Sequence, residues 1–270
     1  MGMVLVMEGL GASPVRAAQD ASAQKDITLK LRTRVEPFKG SGAWREVNFE
    51  EQVPRHSTAI VICDMWNDHW CSGAAARVEV LARKMAPLID QARTGGIQII
   101  HAPSDVVGFY SQYPQRIRIL QIPVTAPPAS LNLPVPPLPI DDSDGGCDTG
   151  DKFYQAWSRE NPAISITGDD VVSADGKEIY SFLIQRGIRN LVVMGVHANF
   201  CVLNRSFAIK QMTNWGIRCV LVRDLTDAMY NPKDRPYVSH ARGTELVIEY
   251  IEKYWCPSTL STDLAQTLPH

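Results

Sequence analysis

No stretch of the chain comes near the roughly 20 consecutive apolar residues that a membrane-spanning helix needs, because Asp, Arg, Lys or Asn interrupts every hydrophobic run. No membrane is expected as a partner. Excess charge is missing too: 27 Lys plus Arg against 29 Asp plus Glu leave a formal net charge of -2, so no nucleic acid is expected as the main partner either. Cysteine is scarce. The six thiols (Cys63, Cys71, Cys147, Cys201, Cys219, Cys256) include no C-x-x-C pair and are too few and too irregular for a disulfide framework, which leaves the redox compartment open. Internal repeats are absent. What is present is an ordinary globular composition, with 45% hydrophobic and 21% charged residues, enough over 270 residues for a sizeable core.

The first 19 residues, MGMVLVMEGLGASPVRAAQ, join an apolar patch to a small-residue stretch resembling an export cleavage site, but Glu8 breaks the patch and no basic region precedes it. An export-signal remnant and a plain tail are both consistent with this, so the compartment stays open between cytoplasmic and exported. Residues 1–45 are read as an N-terminal tail and 46–270 as one domain.

From Thr58 onward strand and helix patterns alternate. Short, two-sidedly apolar runs at 58–63 (TAIVIC), 97–101 (IQIIH), 163–166 (AISI), 190–196 (NLVVMGV) and 217–222 (IRCVLV) read as buried parallel strands. Helical spacing lies between most of them, over Val78 to Ala92, Lys177 to Arg186, Phe200 to Trp215 and within 238–254. The pattern predicts an α/β fold, a three-layer αβα doubly wound and mostly parallel sheet. An insertion at 122–151 interrupts it. Seven of the 18 prolines fall in 122–140, which excludes a regular helix or a central strand, and five aspartates and three glycines follow in 141–151.

Ligands of open parallel sheets bind beyond the carboxyl ends of the strands, and here those ends are polar. Cys201 falls where the fourth strand turns into a helix, a position that exposes a sulfur to first-turn N–H groups and favours thiolate, hence a nucleophile. Asp64 closes an apolar strand, where a carboxylate needs a partner or a raised pKa; a thiol beside it supplies a reason for either. Trp66, Asn67, His69 and Trp70 follow Asp64, His101 ends the second strand and Phe200 precedes Cys201, so these six are candidates for the substrate pocket. His69, Cys71, His101 and Cys147 could be metal ligands, but their spacing matches no zinc signature; neither a metal nor any other cofactor is expected.

These residues resemble the isochorismatase-like cysteine hydrolases, which include nicotinamidases and N-carbamoylsarcosine amidase, over roughly residues 58–225. The marks are Asp64 followed by Asn67 and Asp68, and a G-V-x-x-x-x-C segment at Gly195, Val196 and Cys201. The resemblance implies a small-molecule substrate, hydrolysis of a C–N bond in an amide, imide or carbamoyl compound, attack by Cys201 through a thioester, and Asp64 as acid and base. It further implies a cis peptide at Val196-His197 that turns the N–H of His197 toward the N–H of Cys201 as an oxyanion hole, and a homo-oligomer.

Three departures stand beside it. The family's catalytic lysine near the end of the third strand has no counterpart in AISITGDD, and only Lys152 and Lys177 lie between residues 101 and 200; Lys152 on the inserted loop is the candidate replacement. Trp66 and His69 stand where Gln and Phe are usual, so substrate identity does not transfer. The nicotinamidase metal motif is replaced by His101 to Asp105, which disfavours that activity. The rival readings are a Cys-independent hydrolase and a pseudo-hydrolase that binds a ligand or a protein partner.

Overall fold

The computed structural model describes residues 26–268, so the signal-like segment lies outside the described residues. The chain opens with a hairpin, β1 (Ile27–Val35) and β2 (Arg45–Val53), and continues through β3 (Thr58–Cys63), α1 (Ser72–Thr94), β4 (Gln98–Ala102) and α2 (Pro114–Leu120). After the insertion come β5 (Val171–Val172), α3 (Gly176–Gln185), β6 (Asn190–Val196), α4 (Cys201–Asn204) and α5 (Ile209–Asn214). The chain then runs through β7 (Arg218–Asp227), α6 (His240–Tyr254), β8 (Ser258–Thr259) and α7 (Ser261–Gln266).

One mixed sheet of eight strands results, in the order β2-β1-β8-β7-β6-β3-β4-β5, parallel from β8 to β5 with the hairpin antiparallel at one edge. All six residues of β3 are buried because both of its faces are covered. Ala59, Val61 and Cys63 face a layer with Phe182 of α3, Leu203 of α4 and Ile251 of α6, while Ile60 and Ile62 face Met85 and Ile89 of α1. Among the described residues no helix is long and apolar enough to cross a membrane.

Three expectations need correction. Residues 27–45 are not tail: the alternation in ITLKLRTRV buries Ile27, Leu29 and Leu31, while Arg32 and Arg34 on the other face donate through their Nε atoms to buried Glu252 of α6 at 2.7 and 3.2 Å. Residues 163–166 are not a strand either. Ile164 N–H bonds back to Asn161 O in a turn, and Val171 and Val172 take the place beside β4, opposite Ile100 and His101. The helix expected over 200–215 is split into α4 and α5 by extended backbone at Arg205 and Ala208. The start of α3 docks in that break, where Gly176 N–H donates to Ser206 Oγ at 2.9 Å and a Cβ on Gly176 would meet Ser206 O at 2.0 Å.

The proline-rich insertion is extended and tied down at intervals, with Thr125 N–H on Ser181 Oγ, Leu131 N–H on Asn214 O, and the Tyr250 hydroxyl on Pro136 O. Its acidic end closes onto the start of α1. Cys71 and Cys147 form a disulfide, Arg77 binds Asp148 at 2.7 Å, and the Asp151 carboxylate accepts from Ser72 N–H at 2.8 Å and Ser72 Oγ at 2.7 Å.

The chain leaves β3 for β4 and β5 on one side and returns to β6, β7 and β8 on the other, which makes the carboxyl ends of β3 and β6 the topological switch point. Gly195 lets the two strands meet there. It lies opposite Cys63 with φ +122°, and a Cβ would stand 2.0 Å from the Cys63 carbonyl oxygen.

Candidate active site

Asp64 is the first residue beyond β3, turned out of the sheet at φ +48° and fully buried. Its N–H still pairs with Ala102 O, while its Oδ1 accepts the Ser104 N–H at 2.6 Å, so the chain just after β4 fixes the carboxylate's orientation. On the other side Arg205 Nε donates to Asp64 Oδ2 at 3.0 Å. The Cys201 thiol, itself only partly buried, lies beside the same carboxylate. Asp64, Cys201 and Arg205 therefore form one cluster at the switch point.

Arg205 supplies the cation absent from the third strand. It follows Cys201 by four residues, one helical turn, and its N–H bonds to Cys201 O at 3.0 Å, which sets both side chains on one face. Asp105 holds the far end of the guanidinium, accepting from its Nη2 at 3.1 Å. Lys152, the replacement expected from the sequence, makes no hydrogen bond or ion pair with Asp64 or Cys201 among the described residues; it lines a hollow with Asp68, His69, Trp70 and Tyr154.

Burial pushes the Asp64 carboxyl above its ordinary range, and the adjacent Arg205 charge pulls it back. Burial first, and the Asp64 charge second, push the Cys201 thiol up. The expected helix-terminus activation is thus corrected: α4 is a single turn, too short a dipole to offset a buried anion beside the sulfur. Asp64 thus sits between opposing influences, burial favouring its neutral form and Arg205 its carboxylate, with a thiol next to it that is held in its protonated form.

The Val196-His197 peptide is cis, and the His197 N–H reaches the Cys201 sulfur. Among the described residues neither that N–H nor the Cys201 N–H donates to a backbone oxygen.

The candidate pocket residues divide. Trp66 and His69 join a ring cluster that Trp157, on the loop just after the insertion, covers, at centroid distances of 4.3 Å from Trp66 and 5.6 Å from His69. The loop that carries Trp157 is stitched to the Asp64 turn: Asn67 N–H bonds to Arg159 O, and Asn67 Oδ1 accepts from the N–H groups of Ser158 and Arg159 at 3.0 and 3.1 Å. Asn67 is thereby a tether for the wall. Trp70 flanks His69 at 5.5 Å, and Phe200 precedes Cys201 with a third of its surface exposed.

His101 is not in the pocket. It is fully buried, with Nδ1 on Glu160 at 2.8 Å and Nε2 on Asp170 at 3.1 Å; burial pulls its pKa down, but the two carboxylates outweigh that and raise it to about 9. The shared metal site weighed for His69, Cys71, His101 and Cys147 does not assemble, since the two sulfurs are joined, both nitrogens of His101 are engaged, and His69 Nδ1 accepts the Cys71 N–H at 3.1 Å.

Sequence reasoning missed Arg205, Ser104 and Trp157. The four-residue step from Cys201 to Arg205 was the one readable signal; Trp157 reaches the site from 93 positions beyond Asp64 with no local mark.

No family model matches the chain, and no curated protein does. Among solved structures, a cysteine hydrolase from Pseudomonas syringae pv. phaseolicola 1448A is 17% identical, with 80% of this chain and 93% of that one covered at a TM-score of 0.52. An isochorismatase family protein from Desulfovibrio vulgaris subsp. vulgaris str. Hildenborough is 18% identical, covering 78% of this chain and 97% of that one at a TM-score of 0.46. An isochorismatase from Pseudomonas putida KT2440 is 15% identical over 77% and 89% at 0.46. The first of these likenesses shows that the chain shares the α/β fold of that cysteine hydrolase.

Proposed function

We propose that this protein is a cysteine hydrolase that cleaves a C–N bond of a small amide, imide or carbamoyl compound. The contact of Asp64 with both Cys201 and Arg205 carries the reading, because a buried acid–base group, a nucleophile and a charge-balancing cation meet at the switch point.

The thiol proton passes to the Asp64 carboxylate as the sulfur bonds to the substrate's carbonyl carbon. The resulting oxyanion is held by the N–H groups of His197 and Cys201. Asp64 returns the proton to the leaving nitrogen as the C–N bond breaks, which leaves an acyl thioester. Water then attacks the thioester, giving a proton to Asp64, and the tetrahedral adduct expels the sulfur, which recovers its proton as the acid departs. Arg205 favours the ionised form of Asp64 between these transfers and so acts as a positioning residue.

Turnover of a panel of small primary amides, cyclic imides and carbamoyl compounds tests the reading, followed as ammonia from the amides and carbamoyl compounds and as the ring-opened amide acid from the imides, whose nitrogen stays on the product. At least one is expected to turn over, and Cys201→Ser to lower that rate by about 1000-fold or more. Turnover of none of them, or turnover that survives Cys201→Ser, contradicts it.

A further inference from the structure

From the nucleophile outward the wall of the site is a chain of ring contacts. The His197 N–H reaches the sulfur, the His197 ring meets the His69 ring edge-on at 4.9 Å, and the His69 ring lies against Trp157 at 5.6 Å. Polar atoms on this wall lack partners. Trp157 Nε1 and His197 Nε2 are buried and unpaired among the described residues, although both side chains are more than nine-tenths buried. His69 adds a third atom of a different kind: with Nδ1 accepting the Cys71 N–H, the proton of a neutral ring sits on Nε2, which no described group accepts and which, unlike the other two, is open to a bound molecule. Burial keeps both imidazoles neutral near pH 7, lowering His69 to about 4 and His197 to about 3.

The neighbouring indole shows the contrast, since Trp66 Nε1 donates to Ser104 O at 3.0 Å. A buried N–H left without an acceptor is destabilising, and a bound molecule that brings an acceptor relieves it. Sites built this way discriminate strongly against analogues that lack the matching group.

We propose that Trp157 and His69 read a second hydrogen-bond acceptor on the substrate, so that the site prefers uncharged, planar amides carrying a further carbonyl-type oxygen or nitrogen to simple amides. Imides and ureides belong to that class. The proposal rests on reading the site as one that takes amides, but its test needs no turnover.

Succinimide and 2-pyrrolidinone are both five-membered cyclic amides, and the imide carries one more carbonyl. Each is titrated as a protectant of Cys201 against iodoacetamide, with labelling read by peptide mass spectrometry. In the native protein succinimide is expected to protect at a concentration about tenfold lower than the lactam. That advantage should fall below about threefold in Trp157→Phe and in His69→Asn, where the Asn oxygen still accepts the Cys71 N–H. Equal protection by the two compounds, protection by neither up to their solubility, or an advantage that survives both substitutions overturns the proposal. Protection as expected without hydrolysis of any amide overturns the hydrolase reading and leaves the acceptor-reading pair standing.

Discussion

Arg205 opposes burial at the Asp64 carboxyl. With its Nε 3.0 Å from the fully buried Asp64 carboxylate, it offsets the desolvation that otherwise favours the protonated acid. Replacing it by Met should lower kcat/KM by about 100-fold and Lys by less, since a point charge recovers part of the field but not the fork that also engages Asp105. The acid limb of the kcat profile should move to higher pH in Arg205→Met, because Asp64 without its cation ionises later. An unmoved acid limb with only a uniform loss of rate would assign Arg205 to folding alone. At this scale the sequence was legible for Asp64 and Cys201, each marked by its place at a strand end. It was opaque for His101, whose two carboxylate partners arrive from 59 and 69 positions away.

At the scale of elements, two attachments hold the frame around the site. The hairpin of β1 and β2 is anchored by Glu252, buried between Arg32 and Arg34; Glu252→Leu leaves two guanidinium groups without their shared partner and should cost about 3 kcal/mol, read from urea unfolding. A loss near zero would show the hairpin to be an appendage. The insertion is anchored by the disulfide, which closes a sequence separation of 76 residues between Cys71 and Cys147. Replacing both cysteines by Ala should lower stability by about 4 kcal/mol on the chain-entropy argument, and reductant should then have no further effect. Regular elements could be read where apolar runs are flanked by Gly or polar turns, as in β3, β6 and α1. The two-residue β5 could not, because two valines carry too little pattern to outrank the AISI run that becomes a turn.

For the whole molecule, buried histidines set opposite pH limits. His101 has a folded pKa raised to about 9 against about 6.5 unfolded, so its stabilisation is complete below pH 6.5 and is lost as pH rises toward 9. His69 and His197 are lowered to about 4 and about 3, so their contribution is present above pH 6.5 and is lost as pH falls through that window. Urea midpoints should therefore peak near pH 6.5, and His101→Asn should flatten the alkaline side while leaving the acid side in place. An alkaline side unchanged by that substitution would contradict the assignment. The doubly wound architecture was legible because buried parallel strands leave unbroken apolar runs that alternate with helical spacing. The boundary at residue 45 was not, because the charged alternation of β1 and β2 resembles a solvated segment until Glu252 of α6 is placed beside it.

Alkylation of Cys201 by iodoacetamide at pH 7, compared between the native protein and Asp64→Asn with buried Cys219 as internal control, tests the central claim most directly. Asp64 has two opposed effects on the thiol: its charge raises the thiol pKa, and its lone pair accepts the thiol proton during attack. If Asp64 is the base, Asp64→Asn slows labelling of Cys201 by about tenfold or more, in a protein with native circular dichroism. Labelling that is unchanged or faster in Asp64→Asn would mean that the carboxylate only suppresses the thiolate, and the proposed chemistry would be wrong.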